Sequence, residues 1–360
     1  MKSLLAKLRL LKTGTGGPSR PSPGRDKMLG GLLGFCVGDA MGVPVEGAHR
    51  TKLAEDPVTG MRGFGSHNQP PGTWSDDTSM MLSVADSLGL SGFFNYRDMI
   101  ERFRGWAREG RYTAHGSLFD IGATTREALA RFEDGCEPLS CGGATEADNG
   151  NGSLMRMLPL AYWLAASGET RFAKPAEACA AAHAASSLTH AHAVSKIACG
   201  LYAAFAGWLL SGPKGAAERL QAARGYYESK RQYRKELARF GRIFRKDFAR
   251  LPESEIRSGT YVVESLEAAL WCFLGSGSYR ECVLKAVNLG GNTDTVAALA
   301  GGLAGTRWGL GGIPKEWLSQ IARLESVTEI FERFCDSLEC DRQKTGERND
   351  CQPGNQTGKP

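Results

Sequence analysis

Apolar residues recur at helical spacing along most of this chain, and the apolar-polar alternation of a half-buried strand is scarce. The period predicts helices over 96–109, 124–132, 176–185, 194–210, 216–250 and 261–274. Shorter apolar runs at 79–85, 158–166 and 296–300 each follow a polar, helix-opening segment. A further run, 28–43, is apolar but rich in glycine. Each glycine costs about 1 kcal/mol against alanine in a helix, so this set needs a packing or ligand reason. Pro44 ends that run and presents Glu46. No repeat of fixed period is present. The length of 360 residues allows two domains. The segments that carry chemistry, however, are spread from 39 to 295, so the pattern predicts one all-α domain.

Two acidic segments open helices far apart in the chain. The first is Trp74-Ser75-Asp76-Asp77-Thr78 and the second Gly290-Gly291-Asn292-Thr293-Asp294-Thr295. The simple account of either is helix capping, with acids favoured by the macrodipole. Yet Asp76 and Asp77 stand side by side, and only one can cap. Carboxylates, hydroxyls and an amide, without His or Cys, are hard oxygen donors. They suit Mg²⁺ or Mn²⁺ and argue against zinc or copper. A third polar segment, Asp148-Asn149-Gly150-Asn151-Gly152-Ser153, enters an apolar helix and can set backbone N–H groups against a phosphate. Leu188-Thr189-His190-Ala191-His192 lies between two Ala-rich stretches. Glu46 and Asp148 are the candidates for acid or base work at a leaving group.

The order GDAMGVPVE, TWSDDTSM, DNGNGSLMR, LTH and GGNTDTVAALAG resembles the ADP-ribosylglycohydrolases, over roughly residues 28 to 310. The dinitrogenase reductase-activating type is similar by motif. The resemblance implies a compact multi-helix domain with a dinuclear site for two Mg²⁺ (or Mn²⁺) ions. It implies release of ADP-ribose from modified protein side chains. Carried onto this sequence, it makes Ser75, Asp76, Asp77, Asn292, Asp294 and Thr295 metal ligands, with Asn292 where the family usually has aspartate. Glu46 matches an acid reaching the metal centre. Asp148 matches a carboxylate acting on the scissile ribose of the arginine-specific type. Gly150, Asn151, Gly152 and Ser153 would lie along diphosphate and ribose, and His190 near the substrate. The alternative is an immunity-type protein that holds ADP-ribose or blocks an ADP-ribosyltransferase with little hydrolysis; Asn292 favours it, since an amide removes one negative charge from the site.

Charge adds little to this. The net +5 gathers at 224–250 and at the N-terminus. In the first region Tyr233, Phe240, Phe244 and Phe248 recur at helical spacing, which predicts a core stripe under a solvated basic face rather than a nucleic-acid surface. Residues 1–27 read as a flexible basic arm without the apolar core of a secretory signal. A transferase docked on that arm is a further expectation. The domain is expected over 28–340 and a disordered polar tail over 341–360. The ten cysteines are scattered with no CxxC, which favours a reduced, cytoplasmic protein. No apolar run is expected to reach a membrane span. His49, His67, His115 and His183 carry no signal, and His192 reads as a surface group.

Overall fold

The computed structural model is described for residues 23–166, 175–211 and 216–349. Among these residues no strand forms. The helices are α1 (Pro23–Gly42), α2 (Arg50–Glu55), α3 (Asp76–Ser91), α4 (Tyr96–Glu109), α5 (Ala123–Glu133), α6 (Leu158–Ala166), α7 (Pro175–Ser187) and α8 (Ala193–Ser211). They continue with α9 (Ala216–Ser229), α10 (Arg231–Leu237), α11 (Val262–Leu274), α12 (Tyr279–Asn288), α13 (Thr293–Trp308), α14 (Lys315–Leu318) and α15 (Leu324–Asn349). Short 3-10 turns fill many of the connections, including Val43–Val45 at Pro44.

The glycines of the first helix have a packing reason. α1 and α13 lie backbone to backbone at the centre of the molecule. A methyl group built at Gly34 would stand 2.7 Å from the Gly301 carbonyl oxygen, one at Gly38 2.1 Å from that of Ala297, and one at Gly42 2.3 Å from the Asp294 nitrogen. The glycines recur every four residues, one row along the helix face. The opposite side of α1 (Leu32, Leu33, Phe35, Cys36) is equally enclosed, so the helix is buried all round. Around this pair α3 packs on α15 and α8 packs on α6 and α7.

Three expectations change. The run 216–250 is not one helix. Lys230 turns extended (φ −101°, ψ 111°), Ser229 donates to the Tyr226 carbonyl at 2.7 Å, and beyond α10 the chain tightens into 3-10 turns at Ala238–Phe244 and Phe248–Arg250. The kinks turn Tyr227, Tyr233, Phe240 and Phe248 all into the core. Two helices, Gly24–Val45 and Ala193–Leu210, do have the length and composition to cross a membrane, but 94% and 83% of those windows are buried in the fold. A helix enclosed on every side has no polar face, so composition alone cannot tell it from a span. Finally, residues 23–27 belong to the folded body. Pro23 opens α1, Arg25 pairs with Asp336 at 2.6 Å, and Lys27 donates to the Leu209 and Leu210 carbonyls at 3.4 Å. At the other end α15 continues to Asn349, past the expected boundary at 340. Residues 1–22 and 350–360 lie outside the described residues.

Candidate active site

The N-termini of α3 and α13 meet against the C-terminal end of α1. Ser75 caps α3, accepting from the Asp77 amide at 3.2 Å, and this leaves both aspartates free of capping. Asn292 stands at the cap position of α13 without a capping bond. Its amide nitrogen donates instead to Glu46 Oε1 at 2.7 Å and Asp294 Oδ1 at 2.9 Å. Thr295, 218 positions from Asp77, donates its hydroxyl to the Asp77 carboxylate at 3.0 Å. Thr293 donates to the Gly42 carbonyl at 2.8 Å and locks the helix entrance onto α1.

Asp39, Asp77 and Asp294 form the floor. One carboxylate oxygen from each lies within 4.8 Å of the others, and all three side chains are buried. Asp39 also accepts from the Ser75 and Thr78 amides, both at 3.0 Å, and so braces the α3 entrance. Burial lifts Asp39 to about 6 despite those bonds. Asp77 and Asp294 are held well above the usual carboxylate range, by burial first and then by their acidic neighbours. Asp76 is raised likewise, by burial and then by Asp120, Asp39 and Glu46. Like charges packed without a cation among them favour protonation; a divalent cation would relieve that repulsion. The donors are carboxylate and hydroxyl oxygens, which fit a hard divalent ion.

A second group, Glu46, His67 and Asp120, stands beside the first, its ligand atoms also within 4.8 Å. His67 Nε2 lies 2.5 Å from Glu46 Oε2, and its ring packs on Phe119 with centroids 5.2 Å apart. Asp76, Asp120, Trp74 and Phe119 line an adjoining cleft.

The polar loop 148–153 forms the other wall and is joined to the floor by one bond. Asn151 donates to Asn292 Oδ1 at 2.5 Å and to Ser265 at 2.9 Å. The loop is also pinned by isolated bridges, Gly150 with Tyr261 and Gly143 with His190. Gly150 and Gly152 face the His190 ring: a methyl group on either would lie 3.6 and 3.0 Å from it. Ser153 is fully enclosed, accepting from Ser186 at 2.9 Å, so its side chain offers nothing to a ligand. Asp148 closes a capping box with Thr145, accepting from its amide at 2.8 Å and its hydroxyl at 2.6 Å. The Thr145 hydroxyl bond lowers its pKa, so Asp148 is an ionised acceptor and not a proton donor. The basic stretch is partly spent on this wall: Arg239 pairs with Glu146 at 2.6 Å.

The structure thus gathers Ser75, Asp77, Asn292, Asp294, Thr295 and Glu46 at one point, with Asp76 on the rim. It sets Asp148, Gly150, Asn151, Gly152 and His190 on the facing wall. It adds three groups the sequence reading passed over as site residues. Asp39 reads as a helix residue, His67 and Asp120 as isolated polar positions in loops; only proximity in three dimensions distinguishes them.

The ADP-ribosylglycohydrolase family model matches residues 20–347. The chain is 31% identical to the ADP-ribosylarginine hydrolase Tri1 of Serratia proteamaculans, over 86% of this chain and 79% of that protein. It is 30% identical to the ADP-ribosyl-[dinitrogen reductase] glycohydrolase of Rhodospirillum rubrum, over 82% and 90%. A solved structure described as an ADP-ribosylglycohydrolase-related protein complex superposes with a TM-score of 0.70 at 32% identity, over 88% of this chain and 99% of that one. The helical fold with an acidic centre where α3 and α13 meet is that of a hydrolase, and the chain belongs to the ADP-ribosylglycohydrolase family.

Proposed function

We propose that this chain hydrolyses the bond between ADP-ribose and an arginine side chain of a modified protein, with Mg²⁺ or Mn²⁺ at the acidic centre. The observation that carries the reading is the meeting of Asp77 with Asp294 and Thr295 across more than two hundred positions. Capping alone gives no reason for such a meeting. Ser75, Asp76, Asp77, Asp294 and Thr295 are the residues that would hold the ions, with Asn292 serving them through Glu46 and Asp294. A divalent cation bound there supplies charge stabilisation for an oxygen-rich ligand such as a ribose diol and lowers the pKa of water.

The chain's own groups do the rest. Glu46 is steadied on both oxygens, by Asn292 and by His67, at the edge of the centre. That position suits a carboxylate that takes up or returns a proton. Asp148, held ionised by Thr145, suits attraction of a positively charged leaving group rather than proton donation. Asp76, Asp120 and the partly exposed Phe119 ring at this cleft are groups that a guanidinium favours. Work in a reducing compartment, the cytoplasm, accords with the unpaired cysteines of the described residues. Residues 1–22 would contact a transferase, if this chain also restrains one. Deleting them should leave turnover of a small ADP-ribosylated substrate intact and remove only a stoichiometric complex. The hydrolase reading is tested by incubating the chain with arginine- and serine-ADP-ribosylated proteins and following free ADP-ribose. Release from serine alone would overturn the arginine assignment.

A further inference from the structure

We infer that Arg156 and Thr189 are positioning residues that fix His190 as a neutral imidazole with its proton on Nε2, aimed at the loop 150–152 as a hydrogen-bond donor to an anionic ligand. Arg156 is completely buried, yet no carboxylate pairs with it among the described residues. Its guanidinium donates to the carbonyls of Ala185 at 3.0 Å and Gly152 at 3.2 Å, and to the Thr189 hydroxyl at 2.8 Å, with its face over the Phe103 ring. Arginine can only donate, so the Thr189 oxygen accepts in that bond. Thr189 is fully enclosed, and a buried hydroxyl proton needs an acceptor. The other atom within reach is His190 Nδ1, at 2.7 Å. Thr189 therefore donates to Nδ1, which must carry a lone pair, and the ring's proton sits on Nε2.

Nε2 faces the loop. Methyl groups built on Gly150 and Gly152 would lie 3.6 and 3.4 Å from it, so this buried nitrogen has only glycine backbone between it and the loop face. The same arginine works against a second proton. Burial first, and then the Arg156 charge, push His190 down to about 3, against a smaller pull from Asp148. The guanidinium also lies beneath the loop with no carboxylate bonded to it among the described residues, although ionised Asp148 stands at the start of the same loop. A phosphate oxygen fits this donor: it accepts from N–H and needs no change of protonation. The ligand class, a diphosphate such as that of ADP-ribose, rests on the function proposed above; the assignment of the proton does not.

The test uses the full chain labelled with ¹⁵N-histidine, reading two-bond ring correlations by NMR, with His190 assigned by comparison with His190→Gln. The expected pattern is a neutral ring protonated at Nε2 from pH 6 to 8. A ring protonated at Nδ1, or an imidazolium at pH 7, would overturn the inference, and neither result depends on activity. Thr189→Val should then mix the two tautomers and weaken ADP-ribose binding, read by calorimetry, by about tenfold, the loss of one hydrogen bond to a charged acceptor. Thr189→Ser should restore both. Unaltered affinity in folded Thr189→Val would refute the relay. If the unaltered chain bound no ADP-ribose, the functional proposal would fall, and the tautomer would still decide this inference.

Discussion

Gly38→Ala should destabilise this protein and loosen its cation site, although alanine is the better helix former. The added methyl group would sit 2.1 Å from the Ala297 carbonyl oxygen, where ordinary contact begins at 3.4 Å. The obstacle is backbone on a buried helix, so no side chain can swing aside. α1 and α13 must part by on the order of 1 Å, and overpacking of that kind costs about 1–3 kcal/mol. The gain in helix propensity, about 1 kcal/mol, offsets part of it. Gly225→Ala is the matched control. It lies in α9 with nothing within 4 Å of the new methyl group, so there only the propensity gain applies. Urea unfolding should move in opposite directions for the two variants. The site should respond as well, because Asp39 follows Gly38 on one helix and Asp294 opens the other. Displacing such supports weakens metal affinity about 10–100-fold. Mn²⁺ titration followed by EPR measures this. Unchanged stability and Mn²⁺ affinity in Gly38→Ala would refute the close-packed pair as the scaffold of the site, as would equal destabilisation in both variants.

Other outcomes follow from the same geometry. Asp77→Ala should abolish turnover while circular dichroism stays helical, and its unfolding midpoint in EDTA should not fall, because a repelling carboxylate is removed. Asp148→Ala should slow release from arginine more than it weakens ADP-ribose binding; equal losses would leave Asp148 a loop-capping residue alone. Asn292→Asp should tighten divalent cation binding and lower metal-free stability, read by calorimetry and by thermal unfolding. Stability should depend on pH in a stated direction. Burial holds Asp39 at about 6, against about 4 for an ordinary aspartate, so the folded chain binds an extra proton between those values. Metal-free stability should then fall as pH rises from 4 to 6, with about 3 kcal/mol from Asp39, and go on falling above pH 6 because Asp77 and Asp294 are raised in the same direction. The stabilisation on adding Mg²⁺ should accordingly be larger at pH 7.5 than at pH 5.

The helices were largely legible because amphipathic periods of ten or more residues are a strong local signal. The 96–109 helix falls where the period put it. The 216–250 run was misread as continuous because its period persists through kinks that depend on local hydrogen bonds at Ser229 and Lys230. The acidic centre was legible because its chemistry is doubled: two adjacent acids at one helix entrance and a donor-rich turn at another. Asp39 looked like one polar residue in a helix, and its bonds to the Ser75 and Thr78 amides are made only by the fold. His67 and Asp120 lie in loops whose sequence gives no hint that they face Glu46. Asp148 carried a functional resemblance and also a local one: Thr145, three residues before it, predicts the capping box that the structure contains.

The central claim is that this chain releases ADP-ribose from modified arginine through the centre where Asp77 and Asp294 meet. The direct measurement is a time course of free ADP-ribose from an arginine-ADP-ribosylated protein, with Mg²⁺ and with EDTA, for the chain and for Asp77→Ala. Release by the unaltered chain in Mg²⁺, lost in EDTA and in the variant, is the predicted result. Release that persists undiminished in Asp77→Ala, or no release in Mg²⁺ or Mn²⁺ by a chain that still binds ADP-ribose, would contradict it.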